Sequence, residues 1–162
     1  MFNFLKKGPV GQVTAPVSGS YLPIEQVTDE VFASKAVGDG FAITPDERQT
    51  TISAPIDGVV SSIFPTKHAI MITTKQNVEI LIHMGIDTVE LKGAPFTMHV
   101  EAGDRVKAGE AIVDIDWQQL AAAQKATTIM VVSSNATFAP AEPLPTTVMT
   151  DTIIGQFDLA AE

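Results

Sequence analysis

Residues 69–74 (Ala-Ile-Met-Ile-Thr-Thr) and 78–82 (Val-Glu-Ile-Leu-Ile) form two short apolar runs on either side of Lys75-Gln76-Asn77. Both runs are rich in β-branched residues, and this pattern with a short polar connection predicts a β-hairpin. His68 precedes the first run and His83 follows the second. A two-residue turn at Lys75-Gln76 brings His68 opposite His83, with Cβ atoms about 4.5–5.5 Å apart. A three-residue turn shifts the register by one residue, and the two rings then face opposite ways.

The two histidines suggest a specific chemistry. A neutral histidine can attack an electrophile through one ring nitrogen while a hydrogen bond orients the other. A neighbouring imidazole and a hydroxyl can donate to the oxygens of a bound phosphoryl group, and Thr66 is the candidate for that hydroxyl. The alternative use is a zinc site formed by the pair with Asp87. The chain has no His-Glu-x-x-His or His-x-His pattern, and His99 has no fixed relation to the pair. We therefore expect no metal and no cofactor.

The composition limits the function classes. The chain has 162 residues, of which 45% are hydrophobic, enough for one domain with a core. Its net charge of −9 argues against nucleic-acid binding and fits a basic protein partner. Cysteine is absent, which excludes disulfides and thiolate metal sites. No signal-peptide pattern and no apolar run of roughly 20 residues is present, so a cytoplasmic location is expected.

The rest of the chain predicts an all-β fold. Ala15-Pro16-Val17-Ser18-Gly19 recurs as Ala54-Pro55-Ile56-Asp57-Gly58, which predicts a sandwich built from two related halves. One helix is predicted over Trp117–Lys125 with Asp116 as its cap, and a single turn over Asp29–Ala33. Residues 1–12 are predicted to be a flexible tail, 13–162 a single domain and 139–147 a proline-rich loop. Strands are predicted at 51–54, 58–64, 69–74, 78–83, 88–91, 111–115, 128–133, 146–150 and 153–157.

Several of these segments resemble the glucose-type IIA domain of the bacterial phosphoenolpyruvate-dependent sugar phosphotransferase system. The most specific segment is 81–93 (Leu-Ile-His-Met-Gly-Ile-Asp-Thr-Val-Glu-Leu-Lys-Gly), although Met84 stands where phenylalanine is common in the family. The resemblance implies an antiparallel β-sandwich of the duplicated hybrid motif type with one or two short helices. The supporting segments, in the family's order, are 15–19, 31–33 with 37–43, 54–58 and 66–69.

The resemblance also implies a phosphotransferase role. His83 matches the histidine that accepts a phosphoryl group on Nε2 from the phosphocarrier HPr and donates it to a IIB domain, which phosphorylates a sugar during uptake. His68 matches the residue that stabilises the phosphohistidine, and Thr66 matches the threonine that orients this second histidine. Any membrane association would be peripheral, through the IIC part of the permease.

The family also has an apolar face with acidic residues at its rim, to which its partners bind. Asp39 and Asp87 match rim carboxylates, and Phe41 matches the apolar face. The alternative function is a regulatory binding module whose phosphorylation state controls transporters or metabolic enzymes.

Overall fold

Residues 11–159 are described by a computed structural model, and they fold into antiparallel β-sheets with a few short helical turns. The α-helices are α1 (Glu30–Ala33) and α2 (Trp117–Ala122), and 3₁₀ helices span Ile24–Gln26 and Thr88–Leu91. The strands are β1 (Gln12–Thr14), β2 (Gly19–Pro23), β3 (Asp39–Pro45), β4 (Thr51–Ser53), β5 (Gly58–Ile63), β6 (Ala69–Thr73), β7 (Glu79–Met84), β8 (Phe96–Met98), β9 (Arg105–Val106), β10 (Ala111–Ile115), β11 (Ile129–Ser133), β12 (Ala136–Pro140), β13 (Thr147–Val148) and β14 (Ile153–Leu159).

The core lies between one large sheet and two small ones. The large sheet has the order β13-β2-β3-β11-β7-β6-β5-β9, and the small sheets have the orders β1-β14-β12 and β4-β10-β8. Strand alternation decides which residues enter the core: on β7, Ile80, Ile82 and Met84 are fully buried, whereas Leu81 and His83 point to the opposite, outer face. The predicted all-β antiparallel sandwich is therefore confirmed.

The repeated Ala-Pro-x-x-Gly segments occupy equivalent places in two related halves. The Thr14 N–H donates to the carbonyl of Pro55, and the Ser53 N–H donates to the carbonyl of Pro16, each at 2.8 Å. Outward from the contact between β11 and β7, the large sheet continues through β3, β2 and β13 on one side and through β6, β5 and β9 on the other. Each half also contributes one of the two three-stranded sheets, and each of these sheets covers part of the core.

Both predicted helical segments form, and each begins after an aspartate that caps it. The Asp29 carboxylate accepts the Val31 N–H at 2.8 Å, and the Asp116 carboxylate accepts the Gln118 N–H at 3.1 Å. Helix α2 ends before the predicted Lys125, because Gln124 has a positive φ of 60°. The predicted tail lies outside the described residues except for Gly11 and Gln12, and Gln12 already begins β1.

Two other local predictions are wrong. Residues 88–91, predicted as a strand, form a 3₁₀ helix between Asp87 and Lys92, whose φ values are 61° and 56°. The Glu90 N–H donates to the Asp87 carbonyl and the Lys92 N–H donates to the Val89 carbonyl, and these bonds close turns that an extended segment cannot form. The proline-rich loop is shorter than predicted, since β12 continues to Pro140. The strands β1, β2, β3, β8, β9 and β12 were not predicted.

The hairpin has the three-residue turn, so the predicted pairing of residues 68 and 83 is wrong. Thr73 pairs with Glu79 and Ala69 pairs with His83, which leaves Lys75-Gln76-Asn77 as the turn. Asn77 has a φ of 68°, and a left-handed residue in the last position is typical of three-residue hairpin loops. Asn135 donates through Nδ2 to the Asn77 carbonyl at 2.7 Å and so fixes this conformation.

Replacing Asn77 should destabilise the protein by an amount that depends on how readily the new residue adopts a left-handed φ. Asn77→Val should lower the free energy of unfolding by about 1–2 kcal/mol, because a β-branched residue is strained at positive φ. Asn77→Gly is the matched control and should cost less than about 1 kcal/mol. Urea unfolding measures both variants; equal losses would show that the turn conformation does not set the stability of the hairpin.

Candidate functional site

The rings of His68 and His83 meet, although the hairpin register is not the one that was expected to bring them together. Their centroids are 5.0 Å apart, with an interplanar angle of 78°. His83 lies in β7 and points to the outer face, whereas His68 lies in a bend immediately before β6. Pleat alternation governs only extended residues. The bend therefore lets His68 turn toward His83, and the expectation that a three-residue turn would separate the rings is wrong.

Hydrogen bonds fix the orientation of both rings. Nδ1 of His83 lies 2.8 Å from the carbonyl oxygen of Gly85. Because a carbonyl only accepts, Nδ1 carries the proton, and Nε2 of the neutral ring keeps an unprotonated lone pair. Nδ1 of His68 lies 2.6 Å from Oγ1 of Thr66. The structure thus brings Thr66, His68 and His83 together.

Apolar rings surround the pair and exclude much of the solvent. Phe32 of α1 contacts His83 edge-on at 4.9 Å between centroids, and Phe64 contacts His68 at 5.4 Å. His68 retains 6% of its exposure. Burial lowers the pKa of His68 below its usual 6.5. Burial, together with the nearby His68, lowers the pKa of His83 to about 4.

Other groups near His83 act against this shift. The Gly85 carbonyl, Asp29 and Asp87 each favour the protonated ring and raise the pKa of His83. Asp87, a predicted rim residue, is therefore near the pair. Asp29 was not predicted as a site residue; the sequence placed it only in a single helical turn, of which it proves to be the N-cap. The site thus combines a neutral ring, unprotonated at Nε2, with carboxylates that would stabilise a positive charge on that ring.

Three apolar side chains that neighbour the site residues in the chain are exposed, and together they are called the apolar rim here. Val31 in α1 is 55% exposed, Val89 in the 3₁₀ helix after Asp87 is 48% exposed, and Phe64 is 37% exposed. Exposed apolar side chains beside a site are typical of surfaces that bind another protein.

Phe41 does not belong to this surface, and its assignment to the apolar face is wrong. It is fully buried in the core, where its ring packs against Phe138 at 5.2 Å and Tyr21 at 6.2 Å. In β3, the residue that points to the outer face is Ala42, which packs in an apolar cluster with Met130. The aromatic residue at the site is Phe32, from the segment 31–33 that carried part of the family resemblance.

Asp39 is also remote from the pair. From the strand pairings it lies two strands and three residues away from His83, which corresponds to about 14 Å between Cα atoms. Its carboxylate accepts the Phe138 N–H at 2.9 Å and forms an ion pair with Lys35 at 3.4 Å. These contacts join β3 to β12, so the structure assigns Asp39 an internal structural role.

Within residues 11–159, no group of three or more histidine and acidic side chains could hold a metal ion. The third histidine, His99, is on the small sheet containing β8 and β10, with Nε2 2.9 Å from the Asp114 carboxylate. No helix in this part of the chain is long and apolar enough to cross a membrane.

A β-sandwich that carries two adjacent neutral histidines beside the apolar rings of Phe32 and Phe64 is the arrangement expected of a phosphoryl carrier. Residues 11–138 match the family described as phosphoenolpyruvate-dependent sugar phosphotransferase system, EIIA 1. The chain therefore belongs to this EIIA family, whose members carry phosphoryl groups in sugar phosphotransferase systems.

Individual relatives agree with this assignment. Over 123 residues the chain is 44% identical to the PTS system glucose-specific EIIA component of Halalkalibacterium halodurans, covering 76% of this chain and 70% of the relative. Over 124 residues it is 46% identical to the PTS system glucose-specific EIICBA component of Streptococcus pneumoniae, covering 76% of this chain but only 17% of that longer protein. The structure matches glucose permease IIA from Mycoplasma capricolum with a TM-score of 0.82 and 34% identity, covering 96% of this chain and 98% of the other.

The pKa of His83 predicts a pH dependence that can be measured. A histidine in the unfolded chain titrates near 6.5, so the unfolded chain binds this proton more tightly than the folded chain. The stability that this difference contributes is complete above about pH 6.5 and is lost as the pH falls toward about 4. NMR titration should give a midpoint near 4 for His83, and the loss of stability should be smaller in His83→Gln. A midpoint at 6.5 would show that burial does not lower the pKa of His83.

Proposed function

We propose that this chain accepts a phosphoryl group from phosphorylated HPr on Nε2 of His83 and donates it to the IIB domain of a sugar permease. The hydrogen bond from His83 Nδ1 to the Gly85 carbonyl is the observation that carries this proposal. It leaves Nε2 unprotonated, so the nucleophile needs no base to remove a proton.

The transfer is a displacement at phosphorus. The Nε2 lone pair of His83 forms the new N–P bond while the N–P bond of the donor histidine breaks, and the donor nitrogen recovers its lone pair. The His83 ring becomes positively charged because Nδ1 keeps its proton. The Gly85 carbonyl, Asp29 and Asp87, which raise the pKa of this ring, stabilise that charge. Transfer to the IIB domain reverses these changes.

His68 supplies a hydrogen-bond donor to the phosphoryl oxygens. In this scheme Oγ1 of Thr66, which lies 2.6 Å from Nδ1 of His68, is the donor of that hydrogen bond, and the His68 proton is on Nε2. This donor lies in a buried environment, where a hydrogen bond to a negatively charged oxygen is stronger than in water. Thr66 thus acts through His68, which it orients.

The residues around the histidine pair support transfer of a phosphoryl group between two proteins. The apolar rings of Phe32 and Phe64 contact the pair, and they limit the access of water that would hydrolyse a phosphohistidine. Asp29, Asp87 and the net charge of −9 favour a basic partner surface. A neutral nucleophile in a preorganised site meets the main requirements of phosphoryl transfer, which are positioning and electrostatic stabilisation.

Substitution of each histidine should separate their roles. With phosphoenolpyruvate, Enzyme I and HPr, His83→Ala should show no label under alkaline conditions that preserve phosphohistidine. His68→Ala should accept label but donate to a IIB domain at least about 100-fold more slowly, since it lacks a donor to the transferring group. His99→Ala is the control and should behave as wild type. Label retained in His83→Ala would refute the assigned acceptor.

The apolar rim should govern recognition of the donor. Val31→Lys places a positive charge where a basic partner is expected, and should raise KM for phosphorylated HPr by about tenfold or more. Met149→Lys is the matched control, since Met149 is also apolar and 66% exposed but lies beside the edge strand β13. If both substitutions raise KM equally, the effect is one of net charge and the rim is not the docking surface.

A further inference from the structure

Thr88 is fully buried against Gly85, the residue whose carbonyl accepts from His83, and the proposed chemistry does not use it. Its hydroxyl donates to the Met84 carbonyl at 2.6 Å. Thr88 is the first residue of the 3₁₀ helix, after Asp87 with its left-handed φ of 61°. A buried hydroxyl is retained at low energetic cost only when it is hydrogen-bonded, and this one closes the turn 84–88.

Met84 connects this hydroxyl to His68. The Met84 N–H donates to the carbonyl of His68 at 2.8 Å, and the Met84 carbonyl accepts the Thr88 hydroxyl. The N–H and the carbonyl of Met84 therefore connect two segments, which are the bend that contains His68 and the turn that follows His83. A change in the Thr88 contact would be transmitted to both rings.

Gly85, whose carbonyl accepts from His83, is held between Thr88 and the segment 126–128. Its φ is 83°, and its N–H donates to the Thr128 carbonyl at 2.8 Å. A Cβ added at Gly85 would lie 2.5 Å from Cγ2 of Thr88 and 3.0 Å from the Ala126 carbonyl oxygen. The methyl of Thr88 therefore lies against Gly85 while its hydroxyl bonds to the preceding peptide group.

We infer that Thr88 is a positioning residue that sets the tautomer of His83. Its hydroxyl holds the Met84–Gly85 turn so that the Gly85 carbonyl faces Nδ1 of His83. Without this carbonyl, the neutral ring distributes its proton over both nitrogens, and molecules protonated at Nε2 have no lone pair for the phosphoryl group. The consequence for transfer rests on the proposed function, whereas the tautomer itself is a property of the unphosphorylated protein.

Two matched pairs of variants isolate the effect of the Thr88 hydroxyl. Thr88→Val removes the hydroxyl but keeps a methyl against Gly85, and Thr88→Ser keeps the hydroxyl but removes that methyl. Thr88→Ala differs from Thr88→Ser only by the hydroxyl, so this second pair gives the same comparison if Thr88→Val does not fold. Urea unfolding and the NMR signals of His99 report whether each variant keeps its fold.

Nitrogen NMR of the histidine side chains near neutral pH provides the direct test. Wild type and Thr88→Ser should show His83 protonated at Nδ1 with Nε2 unprotonated, while Thr88→Val or Thr88→Ala should show a mixture of both tautomers. A folded variant without the hydroxyl that keeps the wild-type tautomer would overturn the inference. Equal loss of the tautomer in Thr88→Ser would overturn it too, because packing by the methyl would then be the cause.

Phosphoryl transfer from phosphorylated HPr provides the functional test. Loss of one buried hydrogen bond at this position should lower kcat about tenfold with KM unchanged, and Thr88→Ser should restore kcat. A rise in KM alone would place Thr88 in partner binding and overturn its positioning role. If wild type itself is not labelled at His83, the proposed function fails, and the NMR result still decides the tautomer.

Discussion

The pairing of β7 with β11 is the contact on which the rest of the structure depends. It joins the two related halves into one eight-stranded sheet, with Met130 opposite His83 and Val131 opposite Ile82. β11 is buried along its whole length, whereas β7 is fully buried only on its inner face. Ile82 and Val131 point into the main core, whereas Met130 and Val132 point to the outer apolar cluster. The difference between the two faces of β7 fixes this register, because a slip of one residue would exchange its buried and its partly exposed side chains. His83 therefore has a defined position in the middle of the outer face.

The two halves share a backbone plan but differ in what covers the outer face. Between β2 and β3 the chain runs from 24 to 38 and forms a 3₁₀ helix and α1, whereas between β5 and β6 it runs only from 64 to 68. Ala69 pairs with His83 in one half, and Gly40 pairs with Val132 at the corresponding place in the other. Val132 is 1% exposed beneath the longer connection, but His83 remains partly exposed beside the shorter one. The difference in loop length thus leaves His83 partly exposed in one half and covers Val132 at the equivalent position in the other.

The electrostatics around His83 hold its ring in the neutral form. Burial keeps the pKa of His83 near 4, so near neutral pH the ring is uncharged and Nε2 is unprotonated. The Gly85 carbonyl, Asp29 and Asp87 oppose this effect but do not overcome it. Under the proposed function their influence becomes dominant once the ring carries a positive charge, because the same dipole and carboxylates then stabilise it. A site with more carboxylates would protonate the ring too easily, and one with fewer would stabilise the phosphorylated form less.

Elements whose cause is local could be predicted from the sequence. The hydrophobic runs predicted most strands of the sheet around β7, Asp116 marked the start of α2, a single turn was expected over 29–33, and the repeated Ala-Pro-x-x-Gly segments indicated two halves. The segment from Leu81 to Gly93 was specific enough to identify the family. Only the tertiary structure decided the register of the hairpin, the burial of Phe41 and the approach of Phe32 to His83. These properties depend on contacts between residues that are distant in the chain, such as Asn135 with the turn at Asn77. A strand's pattern does not show which neighbour it pairs with, and one residue of register decides whether a side chain lies in the core or at the site.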